Sequence, residues 1–414
     1  MTKSVHPLSR LNLPGLEARY RAETRFKYIG FAAVVFSLAF LVFLIGAIAF
    51  KGIGAFYKTD VQLEVTKQLI AEHGDNSFTL LRKAILHNLP DAKGRKGRKA
   101  AYQMIGAGSE LELDKALENA DTTSDVFTIW MPASDTIDMA WKAGLSSDML
   151  TILTADQQRW LHNWADNDRL RTSFNLNFFT NGDSRDPERA GIGGAFLGSV
   201  MALIVCLLLS FVIGILAAIY LEEFAPKNKI TAFLEVNINN LATVPSIIFG
   251  LLGLAVFLNL FGLPRSSALV GGMVLSLMTL PTIIITSRVS LQAVPPSIRE
   301  AALGLGASQI QAVFHHVLPL AMPGMLTGTI LGMARALGET APLLMIGMVA
   351  FIVDPPSGFM DPATALPVQV YLWADSPERA FAEKTSGAIL VLLVFLLVMN
   401  MTAIILRKKL EKKW

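Results

Sequence analysis

One cysteine stands in 414 residues, Cys206, and it lies inside an apolar run. A lone thiol excludes an intramolecular disulfide and a cysteine-rich metal site; Cys206 reads as a small residue facing lipid or another helix. His73, His87 and His162 are scattered without ligand spacing, so no metal centre is expected. No Gly-x-x-x-x-Gly-Lys-Ser/Thr pattern occurs, and Gly191-Ile192-Gly193-Gly194 lacks the Lys and opens an apolar stretch. The chain therefore has no loop of the kind that cradles nucleotide phosphates. No nucleophile–base pairing of Ser, His and Asp stands out, so neither a catalytic residue nor a cofactor is expected. Charge is scarce, at 17% of residues and net +3, against roughly 25% charged in soluble proteins. That balance argues against a nucleic-acid partner.

What the sequence has is apolar length: 52% hydrophobic residues and a mean hydropathy of +0.48. The first run, Ile29 to Phe50, follows a basic leader over 1–28 that carries Lys3, Arg10, Arg19, Arg21, Arg25 and Lys27. About 22 residues at ~1.5 Å rise are enough to span the hydrocarbon core. Ala47-Ile48-Ala49 imitates a signal-peptide cleavage site, but the run is too long for a signal h-region and the leader too extended. An uncleaved transmembrane helix is expected at 29–50. Five further runs follow: 191–220, about 239–261, 267–286, about 321–352 and 387–406. Pro245, in Thr243-Val244-Pro245-Ser246, should kink or start the third span, with Ser246 able to satisfy a freed backbone group.

Residues 51–190 differ in character. This polar insert is long enough for one domain, and its Trp and Phe residues could build a small core. Val61 to Ile70, Ser77 to Leu86 and Leu111 to Leu117 read as helix-like amphipathic patches. Lys93-Gly94-Arg95-Lys96-Gly97-Arg98-Lys99 reads as a solvated glycine-rich loop, with an anion-attracting or partner-docking patch as the rival reading. Nothing in the insert points to a specific function.

Lys and Arg in short flanks set orientation. The leader and the tail at 407–414 are basic, Lys227 and Lys229 precede the third run, and Arg288 follows the fourth. The connection between the fifth and sixth runs instead holds Asp354, Asp361, Asp375 and Glu378. Six crossings with both termini inside satisfy this, and the insert then lies outside. Its basic run is no obstacle, since long loops translocate largely regardless of charge.

Between the fourth and fifth runs, over 294–319, lies Arg299-Glu300-Ala301-Ala302-Leu303-Gly304-Leu305-Gly306, closed by Val317-Leu318-Pro319. The stretch is too polar to cross a bilayer and too apolar for a solvent loop. Gly304 and Gly306 break it where a helix–turn–helix corner needs positive φ. It reads as a short amphipathic elbow on the inner membrane surface, offered to a partner. Farther on, Arg335 and Glu339 are four apart and share a helix face. A charge deep in a bilayer costs roughly 3 kcal/mol, so it should face a cavity or a partner helix. Ala334 and Gly338 would let a second helix approach closely. Two readings stand: a self-neutralising pair that fixes helix packing, or an Arg335 that lines a route for an oxyanion while Glu339 holds its guanidinium. Arg288 reads as a snorkelling anchor.

The Glu300-Ala301-Ala302 pattern, with Gly306 and Leu318-Pro319 at their spacing, resembles the cytoplasmic coupling loop of ABC importer permeases. His316 departs from it, where a branched aliphatic residue is usual. The run from Ala334 to Leu344 resembles the fifth-helix signature of PstA-type permeases of phosphate importers. Thr243 to Gly250 and Ile219-Tyr220-Leu221-Glu222-Glu223 are similar to the same subunit. The resemblance covers about 190–410; the insert departs from shorter versions and is similar to a longer form with an extended N-terminal region.

The resemblance implies an all-α polytopic membrane protein, a six-transmembrane type I importer permease (core at 191–406) with a large, mainly helical or mixed extracytoplasmic insert. It implies a non-enzymatic transport subunit of the bacterial inner membrane with both termini cytoplasmic. The expected partners are a second permease (PstC type), two copies of an ATP-binding subunit (PstB type) that hydrolyses the ATP, and a periplasmic phosphate-binding protein (PstS type). Arg335 and Glu339 become translocation-path residues; Arg299, Glu300, Ala301, Ala302, Gly306, Leu318 and Pro319 become ATPase-coupling residues. Arg suits phosphate because its planar fork gives two parallel hydrogen bonds, and Glu339 could accept from a protonated phosphate oxygen that sulfate lacks. A permease for another oxyanion, such as sulfate or molybdate, is the alternative. A secondary carrier should show a repeat between its halves, which is not visible, and a membrane-anchored sensor should lack the elbow.

Overall fold

The computed structural model describes residues 16–410, apart from residues 75, 119–124, 146–147 and 350. The first part of the basic leader, with Lys3 and Arg10, and the last four tail residues lie outside the described residues. Two units emerge, 1–51 and 52–414. In the first, the described residues form one helix, α1 (Leu16–Gly52), which contains the apolar run expected at 29–50.

The second unit opens with the insert. Strand β1 (Tyr57–Thr66) is the centre of a three-stranded antiparallel sheet, flanked by β2 (Val126–Pro132) and β3 (Leu170–Phe174). Val61 pairs with Met131 on one side and Leu170 on the other. Here the structure corrects the helical reading of Val61 to Ile70. Val61, Leu63 and Val65 are buried and alternate with Gln62, Glu64 and Thr66; that period of two, with β-branched residues, belongs to a strand. Only from Lys67 does the chain turn helical, as α2 (Lys67–His73), with Thr66 capping it through a bond from the Leu69 N–H.

Helices α3 (Ser77–Asn88), α4 (Gly94–Tyr102), α5 (Ser109–Glu118), α6 (Asp135–Lys142) and α7 (Ala155–Asp166) complete the insert. Leu80, Met104, Ile137, Leu161, Trp160 and Trp164 are among the residues of its core. The basic run is therefore not a loop: residues 94–99 form the first part of α4, with Ala100 and Ala101 buried. A Gly-rich sequence folds helically here because that buried end anchors it, and tertiary burial outweighs propensity. After β3 come the short α8 (Leu176–Thr180) and a linker into the membrane core. Lys142 fastens the insert. Its ammonium donates to the carbonyls of Gly54 (2.9 Å) and Tyr57 (2.8 Å), and meets Asp138 (2.5 Å) and Glu383 (3.1 Å), the last on the final helix.

The core is built from α9 (Gly193–Ile219), α12 (Ala268–Gln292), α15 (Leu318–Gly338) and α18 (Ala380–Leu410), with α17 (Leu366–Ala374) tucked between. Gly272 of α12 leaves no room for a Cβ beside the Ala202 carbonyl and Val205 of α9, so the two backbones touch. Five described helices are long and apolar enough to cross a membrane, or six if one bent pair counts as a single span. That pair is α10 (Lys229–Thr243) and α11 (Ser246–Leu252, continuing as a wider coil to Leu260), bent by 105°. The bend is local chemistry: a residue before proline is pushed out of helical space, and Val244 sits at φ −65°, ψ 132° ahead of Pro245. The third span expected at about 239–261 is thus two limbs.

The fifth span also differs from expectation. Helix α15 ends at Gly338 rather than running on towards 352, Glu339 is extended (φ −78°, ψ 124°), and a short α16 (Ala341–Met345) follows. Proline clashes with the carbonyl four residues before it; for Pro342 that residue is Gly338, where the helix stops.

Candidate translocation and coupling sites

Two places concentrate the polar groups of the core. The first is the end of α15. Ala336 and Leu337 are buried, while the Arg335 side chain is 53% exposed and lies 3.4 Å from the Glu339 carboxylate, which is 19% exposed. The pair thus occupies the side of α15 turned away from the chain's own apolar interior. Beyond the break, α16 packs on α11, where a Cβ at Gly250 would strike Pro342. The Thr243–Gly250 motif and the Arg335–Pro342 motif, far apart in sequence, converge there. A helix interrupted beside an ion pair exposes backbone groups together with side-chain charge, the arrangement in which transporters of other folds place ligand sites.

The second place is the elbow. Helix α13 (Pro296–Gly304) runs to a corner at Gly306, whose φ of +86° suits glycine. The chain returns through α14 (Gln309–Ala312), capped by Ser308 and Gln311, and passes without interruption into α15. Its residues divide by face. Glu300, Ala301, Leu303 and Ile310 are exposed, and Leu305 is 91% exposed. Ala302 is buried against the core, and Leu318 and Pro319 are half-buried where α15 begins. His316 is exposed, so the departure from the usual aliphatic residue leaves no polar group in the core.

Arg299 points inward. Its guanidinium holds both oxygens of Glu223 (Nη2 to Oε1, 2.6 Å; Nε to Oε2, 3.1 Å) and donates to the carbonyls of Leu291 (2.9 Å) and Val294 (2.8 Å). Glu223, only 7% exposed, lies at the end of the α9 rod, and its own carbonyl accepts from Gln309 Nε2 (2.5 Å). The Glu223 hydrogen bonds also raise the guanidinium's hold on its proton. Beside it, Arg288 of α12 joins Glu222 (3.3 Å) to Glu235 of α10 (2.8 Å). Arg288 is therefore not a free anchor but a cross-brace. Sequence reasoning missed Glu222, Glu223 and Glu235 as parts of one network. Two adjacent carboxylates closing an apolar run were the visible signal, but their partners lie 66 and 76 residues away.

Residues 210–414 match the family described as binding-protein-dependent transport system inner membrane component, and residues 14–150 match a domain of unknown function (DUF3333). The chain is 30% identical over 240 residues to the phosphate transport system permease protein PstA of Xylella fastidiosa (strain 9a5c), spanning 58% of this chain and 83% of that protein. It is 28% identical over 247 residues to the probable ABC transporter permease protein YqgI of Bacillus subtilis (strain 168), spanning 56% and 83%. An inward-facing form of the MetNI methionine ABC transporter superposes with a TM-score of 0.44 at 17% identity, over 53% of this chain and 96% of that one.

Bent helical spans around a surface elbow, together with the family match and the PstA relatives, define a multi-pass permease subunit of the ABC importer class. Within that class the chain belongs to the PstA-type permease family.

Proposed function

We propose that this permease carries inorganic phosphate into the cell. The observation that carries the proposal is the Arg335–Glu339 pair, half-exposed at a broken helix end, in a chain whose relatives are named as phosphate permeases. Arg335 would bind a passing phosphate through its planar fork. Glu339 would hold that fork in place and, by repelling a second negative charge, keep binding weak enough for release.

The path forms with a second permease of PstC type, since half of it must come from another chain to close around the Arg335 face. Two PstB-type ATPase subunits would grip the elbow on the cytoplasmic side of the bacterial inner membrane, where both termini also lie. A PstS-type receptor would deliver phosphate from outside. Glu300, Ala301 and Gly306 meet the ATPase groove in this scheme, joined by Leu303 and Leu305. Arg299, Ala302, Leu318 and Pro319 act from behind, transmitting the elbow's movement to α9, α12 and α15. ATP-driven closure then favours one of two arrangements of the spans, as any coupled shift requires.

Uptake of radiolabelled phosphate by the reconstituted four-component complex tests this reading. Phosphate import that unlabelled sulfate and molybdate fail to compete for is the expected result. Labelled sulfate or molybdate taken up in a manner insensitive to phosphate would overturn it.

A further inference from the structure

The side of the insert nearest α18 leaves a ladder of aromatic rings in the open. The odd-numbered residues of β1 from Thr59 to Val65 form the buried face of the sheet. Side chains alternate along a strand, so Tyr57 belongs to that same face, and its partner in the register is Phe174 of β3. There the core has ended: Tyr57 is 45% exposed and Phe174 56%. Their rings meet edge to face at 6.3 Å, Phe174 stacks on Phe179 of α8 at 5.7 Å, and Phe179 stacks in turn on Phe56 at 5.7 Å. Leu176, at the start of α8, is 61% exposed, and Ile53, on the turn that carries Phe56, is exposed as well. Neither stretch, 53–57 nor 174–180, contains a charged residue.

The height of this ladder against the membrane follows from α18. Glu383 and Lys384 stand in its opening turns, and from Gly387 to Leu406 the helix carries no charge, so Gly387 marks its entry into hydrocarbon. A Cβ on Gly387 would strike the Ala55 side chain and touch the Phe178 ring. Ala55 and Phe178 are the buried root of the ladder: Phe178 packs edge-on against Phe56 at 5.7 Å and Phe179 at 5.2 Å. The exposed rings therefore lie close to the level at which α18 leaves water. An open apolar patch with a polar rim marks a contact with protein or membrane; here Thr172, next along the same face of β3, and Thr180 are exposed polar neighbours. Rings with a polar tip, such as Tyr57, settle at the membrane–water boundary.

We propose that this face is a membrane foot: Tyr57, Phe174, Leu176 and Phe179 dip into the boundary between headgroups and acyl chains of the leaflet on the insert's side, with phospholipid as their partner. A foot at this level meets lipid wherever the spans lie in a bilayer, without need of a second chain. An uncharged patch also offers a protein partner no charge complementarity by which to be selected. The foot gives the insert a second hold on the membrane core besides Lys142. Its rings rest on β1 and β3 at one end and on α18 at the other, so lipid seats the sheet at a fixed height. The proposal requires only that the apolar spans lie in a membrane and is independent of the solute carried.

The test is depth measurement by spin labelling of the full chain in liposomes of phosphatidylethanolamine and phosphatidylglycerol, alone and in the reconstituted complex. In a Cys206→Ala background, which removes the only thiol, single labels are placed through Phe174→Cys, Leu176→Cys and, for comparison, Leu111→Cys, an exposed apolar position on α5. Oxygen concentrates in hydrocarbon and a nickel chelate in water. The labels at 174 and 176 should be relaxed more by oxygen than by the chelate, and the label at 111 the reverse. In parallel, the unsubstituted chain in liposomes containing a phospholipid with a diazirine near its headgroup should take photoadducts within 174–180 and none within 109–118. Chelate-dominated relaxation at 174 and 176, or no adducts within 174–180, overturns the proposal. Labels shielded from both reagents in the complex would make the face a protein interface and overturn it equally. The photolabelling decides the matter even if Cys206→Ala fails to fold.

Discussion

Arg299 and Glu223 lie 76 residues apart and meet through a two-pronged contact closed by an Nη2–Oε1 bond of 2.6 Å. The remaining donors of the same guanidinium take the carbonyls of Leu291 and Val294 at the end of α12. One side chain thus ties α13 to the ends of two core helices. In the proposed scheme the elbow is a lever, and a lever transmits only if its root, here this contact, is rigid.

Replacing Arg299 by Gln should therefore separate ATP hydrolysis from uptake: the assembled complex keeps its ATPase activity and loses most phosphate import. Leaving a buried Glu223 without its partner costs about 3 kcal/mol or more, so the unfolding midpoint should also fall. The exchanged pair Glu223→Arg with Arg299→Glu should fail to restore uptake, because a carboxylate cannot donate to the Leu291 and Val294 carbonyls. Parallel ATPase and uptake assays in proteoliposomes check both; full restoration by the exchange would reduce the contact to a simple ion pair.

Arg335→Gln should abolish phosphate uptake while the complex still assembles, and Arg335→Lys should retain charge but lose the fork, with import down about tenfold. Normal uptake by Arg335→Gln would leave the pair only a packing role.

The outward face of the elbow should be the docking face. Glu300→Lys and Leu305→Asp are each expected to weaken capture of the ATP-binding subunit about tenfold in a pull-down, without lowering thermal stability, because both residues are exposed. Undiminished capture by both variants would reject docking through this face.

At the corner, Gly304 and Gly306 should respond in opposite directions. Gly304 is helical with open space around it, so Gly304→Ala should stabilise by up to about 1 kcal/mol. Gly306 sits at φ +86°, where Ala costs about 1–2 kcal/mol. Thermal unfolding of the two variants, side by side, makes the comparison.

Glu188 gives a pH dependence. Its carboxyl is raised by burial, so the folded state favours the protonated form. Its stabilising contribution is complete at acidic pH, below the ordinary carboxylate range, and is lost as pH rises through the raised value. The unfolding midpoint of Glu188→Gln, measured against the parent chain, should therefore gain as pH rises above the ordinary carboxylate range and level off beyond the raised value. A difference independent of pH would mean that Glu188 does not titrate in this window.

The sequence made the apolar spans, the elbow and the Arg335–Glu339 spacing legible because each rests on local pattern: apolar length, a glycine corner (at Gly306, with Gly304 helical rather than at positive φ), a four-residue interval. It made β1 illegible, since Val61 to Ile70 joins a strand to a helix and a window across both shows neither period. Pro342 did announce the end of α15, through its conflict with the Gly338 carbonyl. An apolar run on both sides masked that signal, because hydropathy does not register a change of backbone path. The brace at Arg299 was beyond reach for a different reason. It depends on which helix end comes to rest against which, and that is fixed by contacts such as Gly272 on Ala202 that leave no mark on charge spacing.

Lys142 reaches from α6 of the insert to the carbonyls of Gly54 and Tyr57 and to Glu383 on the last helix. Excising the insert to mimic a shorter permease would strip Glu383 of its cation. The insert is better regarded as grafted tissue with a healed union than as a detachable ornament. A displacement of α6 arrives at the final helix through that union.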